Sequence, residues 1–195
     1  MTDIIKRVSA VMTKVPFAED GSVSANDYRK VFGLIPTAVA AITGISSEGK
    51  PVGFVVGTFQ SLSIDPPLAA FSVDKGSSTW PTIRTLESFT ANILSVEQLP
   101  VCRALSRRGV DKFEGLEYAS GPYGNPRLPG STAWLDCKVL YEIVAGDHYI
   151  IVSNITGMEI GSGDALAFRG GRFGEFLEWD EPAPAPKPIA EDVQA

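Results

Sequence analysis

The chain has 195 residues, 44% of them apolar and 21% charged, with a formal net charge of −6 and an isoelectric point near 4.8. That is an ordinary globular composition, and its acidic balance argues against a nucleic-acid binder, which would carry a basic face. No apolar run is long enough to cross a bilayer, and one histidine with two cysteines outside any CxxC pattern is a poor basis for a zinc enzyme or a Ser-His-Asp hydrolase.

Residues 1–22 read as an N-terminal arm without the continuous apolar segment of a signal peptide. Two thiols in a chain of this length, Cys102 and Cys137, suggest a reducing compartment, so a cytoplasmic location is expected and both read as buried hydrophobes. Ser24 and Asp27 form a capping box for a short helix that places Tyr28, Val31 and Phe32 on one face and stops at Gly33. Pro36-Thr37 connects to a strand over Val39–Ile45, and Ser46–Lys50 turns back.

The stretch from Gly53 to Thr79 is the most informative. Val55 and Val56, then Leu62, Ser63 and Ile64, make a β-branched and apolar run, interrupted by Gly57. A lone glycine in a strand marks a bulge or a place where a ligand meets bare backbone. Asp65-Pro66-Pro67 forces a turn, because two successive residues lack an amide hydrogen, and Leu68–Val73 returns. Lys75-Gly76-Ser77-Ser78-Thr79 then gives one cation and three hydroxyls just before a helix start at Trp80-Pro81. Hydroxyls there are ordinary N-caps; with backbone amides and a lysine they also suit a phosphate.

Further along, Phe89–Leu94 is a strand whose Asn92 reads as a polar residue satisfying a neighbouring loop. Ser95–Gln98 is a second capping box. Its helix ends near Arg107-Arg108-Gly109, with Pro100 placing the start later than the box suggests. Residues 121–130 form an irregular loop rich in Gly and Pro, a candidate functional or oligomer contact. Leu135, Cys137, Val139, Tyr141 and Ile143 alternate with Asp136, Lys138 and Glu142, the period of a half-buried strand. Gly146-Asp147-His148 turns into a return strand. From Glu181 alternating Pro and Ala predict an extended, disordered tail. Domain boundaries are expected as 1–22 arm, 23–178 folded domain and 179–195 tail. Strand count and short turns argue for a mainly β fold, a small Greek-key barrel with peripheral helices.

Several of these segments resemble, in family order, the short-chain flavin reductases that serve two-component flavin-dependent monooxygenases. The resemblance covers roughly residues 26–177. It is carried by Gly53-Phe54, Thr58-Phe59, Ser61–Leu68, Ser77-Ser78-Thr79, Asp111–Gly115 and Gly146-Asp147-His148. The family commonly has Thr at the place of Val55, Asn or Gln at Gly57 and Ser at Thr58, so the first two positions offer a flavin backbone contacts only. The resemblance implies an FMN-binding split barrel and reduction of FMN or FAD by NADH or NADPH. It also implies a homodimer with the flavin between subunits, and reduced flavin delivered to a separate oxygenase. No membrane or nucleic-acid partner is implied.

On this reading Val55, Val56, Gly57 and Thr58 serve the flavin ring edge, and Ser72, Val73 and Asp74 the ring or ribityl side. Lys75, Ser77, Ser78 and Thr79 take the phosphate, Asn92 lies beside the flavin, and His148 helps position the nicotinamide without transferring a proton. The rival readings are a flavin- or haem-binding split barrel without reductase turnover and a barrel that has lost its site.

Overall fold

A computed structural model of the chain describes residues 23–109 and 111–177. The expected arm over 1–22 and tail over 179–195 lie outside the described residues. The chain divides into two compact units, Met1–Leu34 and Ile35–Ala195. In the first, helix α1 (Ala25–Phe32) is capped by Ser24, whose Oγ accepts from the Asp27 amide at 3.1 Å. Tyr28 and Phe32 stack at 4.3 Å on one face, as i,i+4 neighbours must.

The second unit is mainly β. Its principal sheet is built from β2 (Ala40–Ile45), β3 (Pro51–Val56), β4 (Gln60–Ser63), β5 (Leu68–Asp74), β6 (Phe89–Ile93), β9 (Ala133–Ala145) and β10 (His148–Ile160). The strands are antiparallel in the order β3-β2-β6-β9-β10-β5-β4. The sequence predicts one strand broken by Gly57, but the structure makes it two, β3 and β4, at opposite edges of the sheet. In a flat sheet six inter-strand steps would separate those edges by about 29 Å. The four Cα steps from Val56 to Gln60 reach at most about 15 Å. The sheet must therefore curl until its edges approach, which yields a barrel left open along one side.

Thr58 staples that opening. Its Oγ1 accepts from the Ser72 amide at 2.9 Å and donates to the Ser72 carbonyl at 3.2 Å, standing in for ladder bonds between the end of β3 and β5. Gly57 fits because a Cβ there would approach Thr37 Oγ1 to 2.7 Å. Thr37 belongs to a small second sheet of β1 (Thr37–Ala38), β11 (Ala167–Arg169) and β12 (Arg172–Gly174).

Both faces of the curled sheet are covered. Inside lie Ile42, Phe54, Phe71, Trp80, Phe89 and Ile151, with Phe71 edge-on to both Trp80 and Phe89 at 5.7 Å. Outside, Ala41, Leu94, Cys102, Leu105, Phe113 and Leu128 pack around helix α3 (Leu99–Leu105). β2 is buried on both faces, which is why its sequence is nearly continuous in small and apolar residues. α3 follows a 3-10 turn over Val96–Gln98, and Gln98 Oε1 accepts from the Ser95 amide at 3.0 Å. Pro100 thus sits in the first turn, where its missing N–H costs nothing. Helix α2 is the single turn Trp80–Ile83. Among the described residues no helix is long and apolar enough to cross a membrane.

Two expectations change. The 121–130 loop is not irregular: β7 (Ala119–Ser120) pairs with β8 (Pro126–Arg127), and Asn125 and Leu128 are buried. Asp136, read as an outward polar residue of β9, is 1% exposed. It accepts from Arg127 Nη2 at 2.6 Å and Thr90 Oγ1 at 2.8 Å, so the hairpin is locked to the sheet by an ion pair rather than by apolar packing alone. Replacing Asp136 by Ala strands the Arg127 guanidinium, which then keeps only Glu159. We expect a stability loss of about 3 kcal/mol, read as a lower urea midpoint at unchanged slope. A loss under about 1 kcal/mol would remove the pair from the determinants of the fold.

Candidate functional site

The open side of the barrel carries a cavity of about 400 Å³. Its walls come from distant parts of the chain: Phe54–Thr58 at the end of β3, Ser72–Asp74 at the end of β5, Ser77–Thr79 before α2, Leu105–Arg108 at the end of α3, and Lys112 and His148. The curl of the sheet explains the gathering. It carries the end of β3 to the end of β5, and β10 begins beside that end with His148 opposite Asp74. Gly146, at φ +63°, allows the tight reversal that places His148 there.

Val55, Val56, Gly57, Thr58, Ser72, Val73, Asp74, Ser77, Ser78, Thr79 and His148 thus share one cavity. Lys75 and Asn92 do not line it. The Lys75 ammonium donates to the Gly146 carbonyl at 2.5 Å and lies over the Tyr149 ring, so it clamps the β9–β10 turn. Asn92 is fully buried; it donates to the Ala41 carbonyl and accepts from the Leu128 amide at 2.8 Å. It satisfies a loop, as the residues alone suggest.

The hydroxyls divide their work. Ser77 Oγ accepts from the Trp80 amide at 3.1 Å, an ordinary cap. Thr79 Oγ1 accepts from Lys112 Nζ at 3.0 Å. α2 is one turn long, so its dipole offers an anion little. Positive charge comes from residues the sequence reading missed as site members: Arg107, Arg108 and Lys112. Arg107 and Arg108 read as favourable charges at a helix C-terminus, which masked their second aspect. Lys112 also donates to the Gly53 carbonyl at 3.2 Å and makes no ion pair among the described residues. Burial, and then the neighbouring Arg108, pull its pKa below the ordinary lysine range. Cations crowded in this way disfavour one another's charge, and an anion would relieve them.

At the start of β10, His148 Nδ1 lies 2.7 Å from Asp147 Oδ1, and this hydrogen bond holds the Asp147 carboxyl below its usual range. The His148 side chain remains 42% exposed. The cavity therefore offers a run of backbone and small side chains together with three cations and an exposed imidazole. A flat polar ring carrying a phosphate tail fits that distribution.

A family model described as the flavin reductase like domain matches residues 32–176. The chain belongs to that family. It is 41% identical over 150 residues to a flavin reductase of Pseudomonas putida, covering 76% of this chain and 88% of the relative. It is 35% identical over 173 residues to HsaB, the reductase subunit of a flavin-dependent monooxygenase of Rhodococcus jostii, covering 86% and 88%. Among solved structures it superposes with a TM-score of 0.75 and 26% identity on the NADH:FAD oxidoreductase SgcE6 of Streptomyces globisporus, solved with NAD and FAD fragments. That match covers 87% of this chain and all of the other. The protein is an NAD(P)H-dependent flavin reductase of split-barrel fold, and its cofactors are a flavin and a nicotinamide nucleotide.

The thiols stay outside this chemistry. Cys137 is fully buried and its pKa is pushed up to about 12 by desolvation; burial raises Cys102 as well. Both remain neutral at pH 8 and out of reach of reagents. A thiol-specific chromogenic reagent should label neither in the native protein and both after denaturation in guanidinium.

Proposed function

We propose that the cavity on the open side of the barrel holds the flavin, with its ring along Val55–Thr58 and Ser72–Asp74 and its phosphate among Ser77–Thr79, Arg107, Arg108 and Lys112. The observation that carries this reading is the gathering of those cations and hydroxyls in one cavity, where Lys112 Nζ donates to Thr79 Oγ1. When bound, the flavin supplies the redox chemistry, accepting hydride from the nicotinamide. The chain's own residues bind and orient. Backbone groups of β3 face the ring edge, which suits positions where Val55 and Gly57 carry no polar side chain. The Thr58 staple fixes that backbone before ligand arrives. His148, steadied by Asp147, presents a polar edge to the nicotinamide amide or pyrophosphate.

Reduced flavin then leaves for a separate oxygenase in the cytoplasm, a role supported by the relative that is a monooxygenase reductase subunit. The active form is a homodimer. Exposed aliphatics at Leu140, Val144 and Ile150 on the β9–β10 hairpin give a second copy apolar surface to cover. Sedimentation equilibrium reads this directly as twice the chain mass.

Two substitutions test the assignment. His148→Ala should raise the nicotinamide KM about tenfold, equivalent to about 1.4 kcal/mol, with flavin affinity nearly unchanged. An unchanged KM takes His148 out of the site. Lys112→Ala should weaken flavin binding by about tenfold or more, the scale of a lost charge-assisted hydrogen bond.

The pH dependence has a definite sign. Because Lys112 loses its proton at lower pH than an ordinary lysine, flavin affinity should fall early on the alkaline side. Lys112→Arg, whose charge does not titrate there, should abolish that fall. Titration of flavin fluorescence across the alkaline range distinguishes the two.

A further inference from the structure

A second cavity, of about 640 Å³, adjoins the first. The two share Thr79 and Lys112, and the Lys112 ammonium sits on their common wall, held by Thr79 Oγ1 and the Gly53 carbonyl. Consecutive residues divide between them, Phe54 lining the first and Gly53 the second. Both volumes fall in the range of small-molecule sites.

Their chemistry differs. The first gathers Arg107, Arg108 and Lys112 against the single carboxylate of Asp74. The second sets Glu48 and Asp111 against Lys50 and Lys112, with apolar surface from Pro51 and Val52. A balanced, carboxylate-bearing cavity is a poor place for a further phosphate and a good one for a ribose diol, whose hydroxyls donate to carboxylates. Asp111 commits one oxygen to the Phe113 amide at 2.9 Å, which fixes its carboxylate in place. Pro51 offers an apolar contact for a purine base, backed by Val52, which packs on the core.

We infer that the second cavity receives the adenosine half of flavin adenine dinucleotide, so that this reductase selects FAD over FMN. The inference rests on the placement of the flavin phosphate proposed above. From that phosphate a mononucleotide ends at Lys112. A dinucleotide continues past Lys112, and the adjoining space is the second cavity. The nicotinamide is proposed at His148, which lines the first cavity and not the second.

The test uses the full-length protein and calorimetric titration with oxidised FAD and FMN. The unaltered protein should bind FAD at least about tenfold more tightly than FMN. Ser47→Trp, at an exposed position of the β2–β3 turn on the cavity wall, fills the space. Asp111→Asn removes the charge but keeps the acceptor for Phe113. Each should weaken FAD about tenfold and move FMN less than twofold.

Equal affinities for the two flavins in the unaltered protein overturn the inference. So does an equal loss of both in the variants. A rise in the NADH KM with FAD affinity untouched gives the cavity to the nicotinamide dinucleotide instead, and also overturns it. Binding of neither flavin brings down the flavin site itself, a failure distinct from the others.

Discussion

The structure depends on the closing of one gap. β3 and β4 are neighbours in the chain and occupy the two edges of a seven-stranded sheet, with only Gly57, Thr58 and Phe59 between them. So short a link leaves the sheet no flat alternative, and Thr58 fixes the approach with two hydrogen bonds to the backbone of Ser72. Each such bond contributes only about 1 kcal/mol net. Its leverage lies in position. It replaces the missing ladder at the seam and sets the distance between the two strand ends that wall the cavity. Phe54 and Phe71, one from each of those strands, meet inside the barrel at 6.4 Å between ring centroids. Apolar packing thus presses on the same seam that the hydroxyl holds.

The same constraint explains what could be read from the residues. Val55–Thr58, Ser72–Asp74 and Ser77–Thr79 lie within one short stretch, and their chemistry is visible as a glycine-broken run followed by hydroxyls. His148 is marked by the family resemblance of its Gly146-Asp147-His148 turn, not by being the sole histidine. What local reading cannot supply is which distant segment covers the cavity. Lys75 adjoins the hydroxyls in sequence, which points it at the anion. Yet it follows the last residue of β5, and its ammonium reaches the Gly146 carbonyl in the β9–β10 turn instead. Lys112 arrives from 33 residues beyond Thr79, past α2, β6 and α3, and although its segment Asp111–Gly115 carries part of the family resemblance, nothing in it points to the cavity.

Asp136 misled for a related reason. Strict alternation along β9 assigns it to the solvent side, but the short hairpin of β7 and β8 folds over that face and brings Arg127 with it. Period-two patterning tells which residues share a face; it does not tell whether something else covers that face. The hairpin was itself hidden in a Gly- and Pro-rich segment whose two-residue strands are too short to give any period. Asn92 shows the opposite outcome. The residue-level reading, a polar strand residue that satisfies a loop, matches the buried bonds it makes to Ala41 and Leu128.

The electrostatic arrangement follows from the architecture. An acidic protein that must attract an anionic ligand needs its cations concentrated and its carboxylates kept elsewhere. Arg107 and Arg108 follow the last turn of α3, where they favour the helix dipole as well as face the cavity. Two requirements, one of stability and one of binding, therefore fall on the same residues and do not conflict. Lys112 is different: burial and Arg108 both disfavour its charge, and only two neutral oxygens hold it. A cation kept in that condition is costly to the folded chain unless something negative arrives. On the proposed reading, the site is organised around a ligand that brings its own charge and its own chemistry, with no buried acid–base pair required of the protein.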